Sequence, residues 1–195
     1  RVRVVTDERD RIAGHGGFLF PNHVSFLDIL VMLSFAPVRF LASAGVRTMP
    51  IIGTVAAAIG TQFVDRTNPE SRQQSREALA ASPPNPPIVI FPEGGIPLEK
   101  EIWPLRHGAF EIASETGRDA QIIGLEYDTD GARWASESLW RAWYRIQVQE
   151  APVSVRVTCG PLFSVAQLST ESGVTSAAEA GRTYFAEVTG LPFGE

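Results

Sequence analysis

Residues 18–28 read FLFPNHVSFLD, and this stretch decides the fold. It opens with an apolar run short enough for a buried strand, and polar residues then end that run. From Phe26 to Phe35 the apolar residues return at helical spacing. The stretch therefore predicts a strand, a polar turn and a helix in succession, the repeating unit of α/β folds.

The same alternation continues along the chain. The predicted strands are 18–20, 38–42, 63–64, 88–91 and 122–125, and the predicted helices are near 26–35, 48–59, 69–81, 105–116 and 175–188. Near the end, Ile146/Val148 and Val153/Val155/Val157 alternate with polar residues around Ala151-Pro152, which predicts an antiparallel hairpin. We expect one α/β domain over residues 1–195, with a mixed, mostly parallel central sheet flanked by helices.

Composition excludes several classes of protein. A chain of 195 residues with 44% apolar and 20% charged residues is globular and long enough for a sizeable core. Its net charge of −5 provides no overall basic field, so no nucleic-acid partner is expected. The single cysteine, Cys159, excludes an internal disulfide and a multi-cysteine metal site.

The first polar cluster contains a candidate general base. Ser25 followed three residues later by Asp28 is the pattern of a capping box, with Ser25 as the N-cap. His23 then precedes the helix, and its imidazole can bend back towards Asp28. A carboxylate on one ring nitrogen leaves the other free to take a proton from a hydroxyl. The alternative is a helix cap with an incidental histidine.

Two more strands end in polar residues, and ligands of open α/β sheets bind beyond the carboxyl ends of strands. Arg66 follows Phe63-Val64 and has a side chain that can hold a phosphate through two hydrogen bonds. Glu93-Gly94-Gly95 follows the strand 88–91 and allows close backbone approach by a ligand. The alternatives are a surface ion pair for Arg66 and an ordinary turn. We expect the three clusters to meet in one site.

Together these residues resemble a known family. Asn22, His23, Ser25 and Asp28 match Asn-His-x-Ser-x-x-Asp, and Gly60–Arg66 and Phe91-Pro92-Glu93-Gly94 follow in order. This pattern resembles the glycerophospholipid acyltransferases, which include glycerol-3-phosphate and 1-acylglycerol-3-phosphate acyltransferases. The resemblance covers about 17–163, and a strand and a helix are expected in 164–195.

The resemblance implies direct acyl transfer to the hydroxyl of lysophosphatidate or a related lysophospholipid. His23 and Asp28 are the implied catalytic residues; the implied substrate-binding residues are Asn22, Ser25, Gly60, Thr61, Arg66, Glu93, Gly94 and Gly95. The donor is acyl-CoA or acyl-carrier protein, used as a co-substrate, and no metal or cofactor is implied. Glycerol-3-phosphate or an acceptor that is not a glycerolipid remains an alternative.

One departure from the family pattern bears on the acceptor. The family commonly continues Glu-Gly-Thr-Arg-Ser, whereas here Gly95-Ile96 follows Glu93-Gly94, so a usual arginine is missing. We expect larger headgroups to be tolerated unless another arginine compensates. The candidates for that compensation are Arg47, Arg72, Arg76 and Arg106.

An aromatic segment suggests a membrane surface as a partner. Trp140, Trp143 and Tyr144 stand at i, i+3 and i+4, near Trp134 and several arginines. A helix here would carry an aromatic face suited to a bilayer interface, or a face packed on the core. No apolar run is long enough to span a bilayer. We expect the cytoplasmic face of a membrane, with peripheral binding or an anchor outside this chain.

Two other functions compete with acyl transfer. A lipid esterase would use Ser25 as its nucleophile, but the sequence has no Gly-x-Ser-x-Gly elbow. A lipid-binding domain with a degenerate site is the other alternative, and the presence of Asn22, His23 and Asp28 argues against it.

Overall fold

The computed structural model describes residues 2–35, 37–49, 52–134 and 137–194. Within these ranges seven strands form one sheet of order β1-β7-β6-β2-β5-β3-β4. The strands are β1 Val2–Val5, β2 Phe18–Pro21, β3 Arg39–Ser43, β4 Gln62–Val64, β5 Ile88–Val89, β6 Ala120–Tyr127 and β7 Val153–Phe163. The β6–β7 pair is antiparallel and the other neighbours are parallel. The expected mixed, mostly parallel sheet is confirmed.

Helices cover both faces of this sheet. They are α1 Arg9–Gly14, α2 Leu27–Leu33, α3 Ala44–Arg47, α4 Ile52–Ala58, α5 Pro69–Ala81, α6 His107–Glu115, α7 Leu139–Gln147, α8 Val165–Leu168 and α9 Gly173–Thr189. Because side chains alternate along a strand, Phe18 and Phe20 pack with α6 and α9, whereas Leu19 packs with α1 and α2. The sheet is thus buried between two helical layers.

The predicted hairpin near the end is wrong in its first strand. Ile146 lies in α7, where it and Ala142 are buried one turn apart, so helical periodicity outweighs the short alternation. The strand containing Val153 does form, but it pairs antiparallel with β6 and parallel with β1. Strand β1 lies before the region that resembled the family and was not predicted.

Two other boundaries differ from the predictions. The helix expected at 48–59 is divided into α3 and α4, and Gly53 of α4 approaches so closely that a Cβ there would lie 2.2 Å from the Arg47 carbonyl oxygen. Residues 164–194 contain α8 and α9 but no strand, because β7 ends at Phe163. The expected strand in 164–195 is therefore wrong within the described residues.

Candidate active site

The three polar clusters meet at one edge of the sheet, as expected. Strands β2, β5, β3 and β4 are adjacent and parallel, so their carboxyl ends lie along the same edge. A cavity of about 380 Å³ opens there. The residues from the three clusters that line it are His23, Thr61, Arg66, Phe91, Gly94 and Gly95.

His23 and Asp28 form the predicted pair. His23 Nδ1 lies 2.8 Å from Asp28 Oδ2, and Asp28 is fully buried. The His23 ring stacks on Phe91 with the ring centroids 3.9 Å apart. Because the carboxylate holds the proton on Nδ1, the Nε2 lone pair remains free to accept a proton from a hydroxyl.

The start of α2 fixes this geometry through backbone amides. Asp28 Oδ2 accepts hydrogen bonds from the amides of Val24 and Ser25 at 2.8 and 2.9 Å, while Ser25 Oγ accepts from the Leu27 amide at 3.2 Å. The helix itself begins at Leu27, later than predicted, but these are the reciprocal contacts of a cap. Asp28 Oδ2 therefore serves both the helix cap and the contact with His23, so the histidine is not incidental to the cap.

Asn22 and Ser25 are outside the cavity wall, although the resemblance assigned both to substrate binding. Asn22 is buried, donates to the Leu125 carbonyl at 3.0 Å and accepts from the Leu125 amide at 2.7 Å, which ties the end of β2 to β6. Ser25 is buried with its hydroxyl on the Leu27 amide. The serine is therefore placed as a cap, not as an exposed nucleophile.

Glu93 holds the main chain of His23. Its Oε1 accepts a hydrogen bond from the His23 amide at 2.8 Å, and the side chain is buried. Burial raises the pKa of Glu93 to about 7, the His23 amide opposes that shift and the Asp28 charge adds to it. Its Oε2 has no hydrogen-bond partner among the described residues. Glu93 thus positions the main chain of His23.

Gly94 brings two arginines together. Its φ of +82° favours glycine, and a Cβ there would lie 2.3 Å from Arg106 Nε and 3.0 Å from Arg66 Nη1. These two nitrogens are therefore within about 5.3 Å of each other, the sum of those distances. Partial desolvation and then the Arg106 charge lower the pKa of Arg66, although the residue as a whole is exposed. Within the described chain neither guanidinium forms a salt bridge.

Of the four candidate arginines, Arg106 lies beside Gly94. It lies next to Arg66, whereas Arg76 pairs with Glu111 and Glu115 and Arg47 lies over the Phe63 ring. A pair of guanidinium groups without a carboxylate partner among the described residues suits an anion, because an anion between them would offset their repulsion.

The remaining wall of the cavity is apolar. Gly60 has a φ of +76° in the turn after α4 and lies outside the wall, and the adjacent Thr61 hydroxyl has no partner among the described residues. Apolar side chains come from α2, β3, α3 and α4 and from residues that flank α2 and α4: Phe26, Ile29, Leu30, Phe40, Leu41, Val46, Val55, Ala56 and Ile59. A long apolar lining with polar groups at one end suits an amphiphile.

Tyr127 was missed by the sequence analysis. It is the last residue of β6, and its hydroxyl donates to Asp28 Oδ1 at 2.6 Å. The rule that brought the other clusters together applies here too, because β6 is parallel to β2 and its carboxyl end lies on the same edge.

The aromatic face of α7 points outward. Trp140, Trp143 and Tyr144 are 69%, 49% and 64% exposed, while Ala142 and Ile146 face the core. The alternative that the aromatic face packs on the core is therefore wrong. No helix within the described residues is long and apolar enough to cross a membrane.

A comparison with protein families identifies the family of this chain. The family model described as Acyltransferase matches residues 1–127. A sheet of this topology with these three motifs defines an acyltransferase-type domain, and the chain belongs to the acyltransferase family.

Two curated relatives are lipid acyltransferases. A lyso-ornithine lipid O-acyltransferase of Pseudomonas aeruginosa is 31% identical over 110 residues, which are 56% of this chain and 43% of that protein. A 1-acyl-sn-glycerol-3-phosphate acyltransferase of Neisseria gonorrhoeae is 24% identical over 156 residues, 74% of this chain and 60% of that protein. The chain spans about half the length of these relatives.

A solved structure shows the same fold. The 1-acyl-sn-glycerophosphate (LPA) acyltransferase PlsC of Thermotoga maritima matches with a TM-score of 0.63 and 16% sequence identity, over 100% of this chain and 75% of that chain.

Proposed function

We propose that this chain is an O-acyltransferase that moves a fatty acyl group from acyl-CoA or acyl-carrier protein to the free hydroxyl of lysophosphatidate or a related anionic lysolipid. One observation carries the proposal: His23, held by Asp28 through Nδ1, lies on the wall of an apolar cavity that also contains Arg66. A base, an acyl-sized apolar space and an anion site thus share one cavity.

In this mechanism His23 acts as the general base. Nε2 takes the proton of the acceptor hydroxyl while that oxygen attacks the thioester carbonyl. The tetrahedral intermediate then collapses with cleavage of the carbon–sulfur bond, and the imidazolium returns its proton to the departing thiolate. The products are an ester and a free thiol. Asp28 stabilises the imidazolium between these two steps.

The arginine pair supports an anionic headgroup. Arg66 and Arg106 present two forked donors beside Gly94, which suits the several oxygens of a phosphomonoester. Because Arg106 replaces the missing arginine, we favour lysophosphatidate over the larger zwitterionic headgroups. A lyso-ornithine lipid, whose headgroup has a carboxylate, is the second candidate because a relative is named for that activity.

A panel of acceptors tests this proposal. We expect kcat/KM to be highest for lysophosphatidate, lower for glycerol-3-phosphate, which lacks the acyl chain, and lowest for lysophosphatidylcholine. Higher activity on the lyso-ornithine lipid would make that lipid the acceptor. Release of free thiol without transfer to any of these acceptors would contradict the proposal.

We also propose that α7 binds a membrane surface, which is where lysolipid acceptors reside. Tryptophan and tyrosine prefer the interface of a bilayer, and exposed Arg141 lies on the same helix for anionic lipids. Helix α7 also packs near the site: its Ile146 shares a small hydrophobic cluster with Leu27 and Phe26, and Phe26 lines the cavity. Docking through α7 would therefore bring the cavity close to its lipid.

A further inference from the structure

Both carboxylate oxygens of Asp28 accept hydrogen bonds, and the donors to each oxygen come from different parts of the chain. Oδ2 accepts hydrogen bonds from His23 Nδ1 and from the amides of Val24 and Ser25. Oδ1 accepts from the Tyr127 hydroxyl at 2.6 Å, the shortest of these contacts. Because Asp28 is fully buried, no water replaces a donor that is removed.

Tyr127 is independent of the α2 cap. The cap residues are within five positions of Asp28, whereas Tyr127 is brought from β6, 99 residues along the chain. The ring packs on a small cluster that includes Leu27 and Ile146. Burial, followed by the Asp28 charge, raises the pKa of the Tyr127 hydroxyl, so it remains a donor throughout the working pH range.

We propose that Tyr127 is a positioning residue that sets the strength with which Asp28 holds the protonated His23. This inference rests on the proposed role of His23 as the general base. A hydroxyl on Oδ1 withdraws negative charge from the carboxylate and fixes its rotamer. Without that hydroxyl, Asp28 would attract the imidazolium more strongly and its orientation would be less defined.

The pH dependence of the reaction is the signature of this role. A more strongly held imidazolium stays protonated to higher pH, so the acidic limb of the activity profile moves upward. The charged or titratable groups near His23 include Asp28 from α2, Glu93 from the segment after β5, whose pKa is raised to about 7 by burial, and Arg66, which lines the same cavity; Arg133 acts on Glu93. All of them remain in a Tyr127→Phe enzyme.

Tyr127→Phe tests the inference, with Tyr184→Phe as the matched control. Tyr184 also donates its hydroxyl to a side chain, Thr158 Oγ1 at 2.8 Å, in a partly buried setting far from Asp28 in sequence. For Tyr127→Phe we expect kcat to fall about tenfold, as for loss of one hydrogen bond to a charged group. The acceptor KM should be unchanged, and the acidic limb of kcat/KM should move up by about 0.5–1 pH unit.

Three outcomes are decisive. A pH profile for Tyr127→Phe that superimposes on that of the parent and of Tyr184→Phe would overturn the inference. If Tyr127→Phe does not fold, 3-fluorotyrosine at position 127 replaces it: its more acidic hydroxyl donates more strongly, so the limb should move to lower pH, and no movement would overturn the inference. Full activity of folded His23→Ala would instead contradict the proposed general base itself.

Discussion

The His23–Asp28 pair and the Arg66–Arg106 pair each contribute one residue, His23 and Arg66, to the wall of the cavity, and the two pairs are built in opposite ways. Every polar contact of Asp28 is made within the protein before a substrate arrives. The two arginines instead lie together at an exposed position without a carboxylate among the described residues. Under the proposed function, the difference means that the general base is held in position before a substrate binds, whereas the arginines would gain their ionic partner from the substrate.

The largest effect should come from removing the fixed base. We expect His23→Ala to lower kcat by about 10²–10⁴-fold, the scale of general-base catalysis, with little change in the acceptor KM. His15→Ala is the control, because His15 precedes β2 and lies at the opposite end of that strand. Thermal unfolding should show that both variants are folded. Near-normal turnover of folded His23→Ala would show that the His23–Asp28 pair is not the general base.

Glu93 differs from Asp28, because it is buried and one of its carboxylate oxygens has no hydrogen-bond partner among the described residues. Its pKa of about 7, against an ordinary value of 4.5, means that the folded protein keeps the proton over a range where the unfolded chain releases it. Stability from this group is complete below about pH 4.5 and is lost as the pH rises to about 7. The total loss is about 3 kcal/mol.

Glu93→Gln isolates this contribution because the amide stays neutral at every pH. Urea unfolding at pH 5 and pH 8 should show the parent losing free energy of unfolding relative to Glu93→Gln by about 2–3 kcal/mol between the two. A difference that does not depend on pH would show that Glu93 is ionised in the folded state.

His23, Asp28 and Glu93 were easier to predict from the sequence than Arg106 and Tyr127. His23, Asp28 and Glu93 follow parallel strands directly, so the apolar runs and the carboxyl-end rule place them together. Arg106 was one of four arginines that the sequence could not separate, and Tyr127 lies two residues beyond the predicted strand 122–125, where the carboxyl-end rule applies but was not used. Their roles depend on the approach of backbone at Gly94 and on the parallel pairing of β6 with β2.

Local patterns failed elsewhere for a similar reason. Strand β1 is a four-residue, largely exposed edge strand, so burial leaves little apolar signal in its sequence. The α7 periodicity predicts a helix but does not say whether the aromatic face points inward or outward. In the structure Ala142 and Ile146 fill the inward face, and the larger aromatic side chains remain outside.

The arginine pair can be tested separately from the base. Arg66→Gln or Arg106→Gln should each raise the KM for lysophosphatidate by about 10–100-fold, as for loss of a charged hydrogen bond. Arg66→Lys keeps the charge but loses the fork, so it should weaken the acceptor more than the donor. Arg72→Gln, on exposed α5, is the control for charge alone. An effect confined to the donor would place the pair on the thioester side.

The smallest expected effect is on membrane binding by the aromatic face of α7. Like the arginine pair, this face is exposed, but its surface is apolar and not charged. Trp140 and Trp143 contact each other, with the ring centroids 6.4 Å apart, and remain exposed, so their apolar area is available to a bilayer. Replacing both with serine should weaken binding to vesicles containing anionic lipid by about tenfold, in proportion to the apolar area lost from the interface. The free energy of unfolding should change little, because Ala142 and Ile146 still hold the helix to the core.

Val2→Ser with Leu162→Ser is the matched control, since these residues are 41% and 46% exposed but lie on β1 and β7. Equal loss of vesicle binding in both double variants would mean that general surface hydrophobicity drives binding. Unfolding of the tryptophan variant alone would mean that the aromatic face stabilises the fold. A loss specific to the tryptophan pair would place α7, like the arginine pair, among the groups whose contacts are completed from outside the chain.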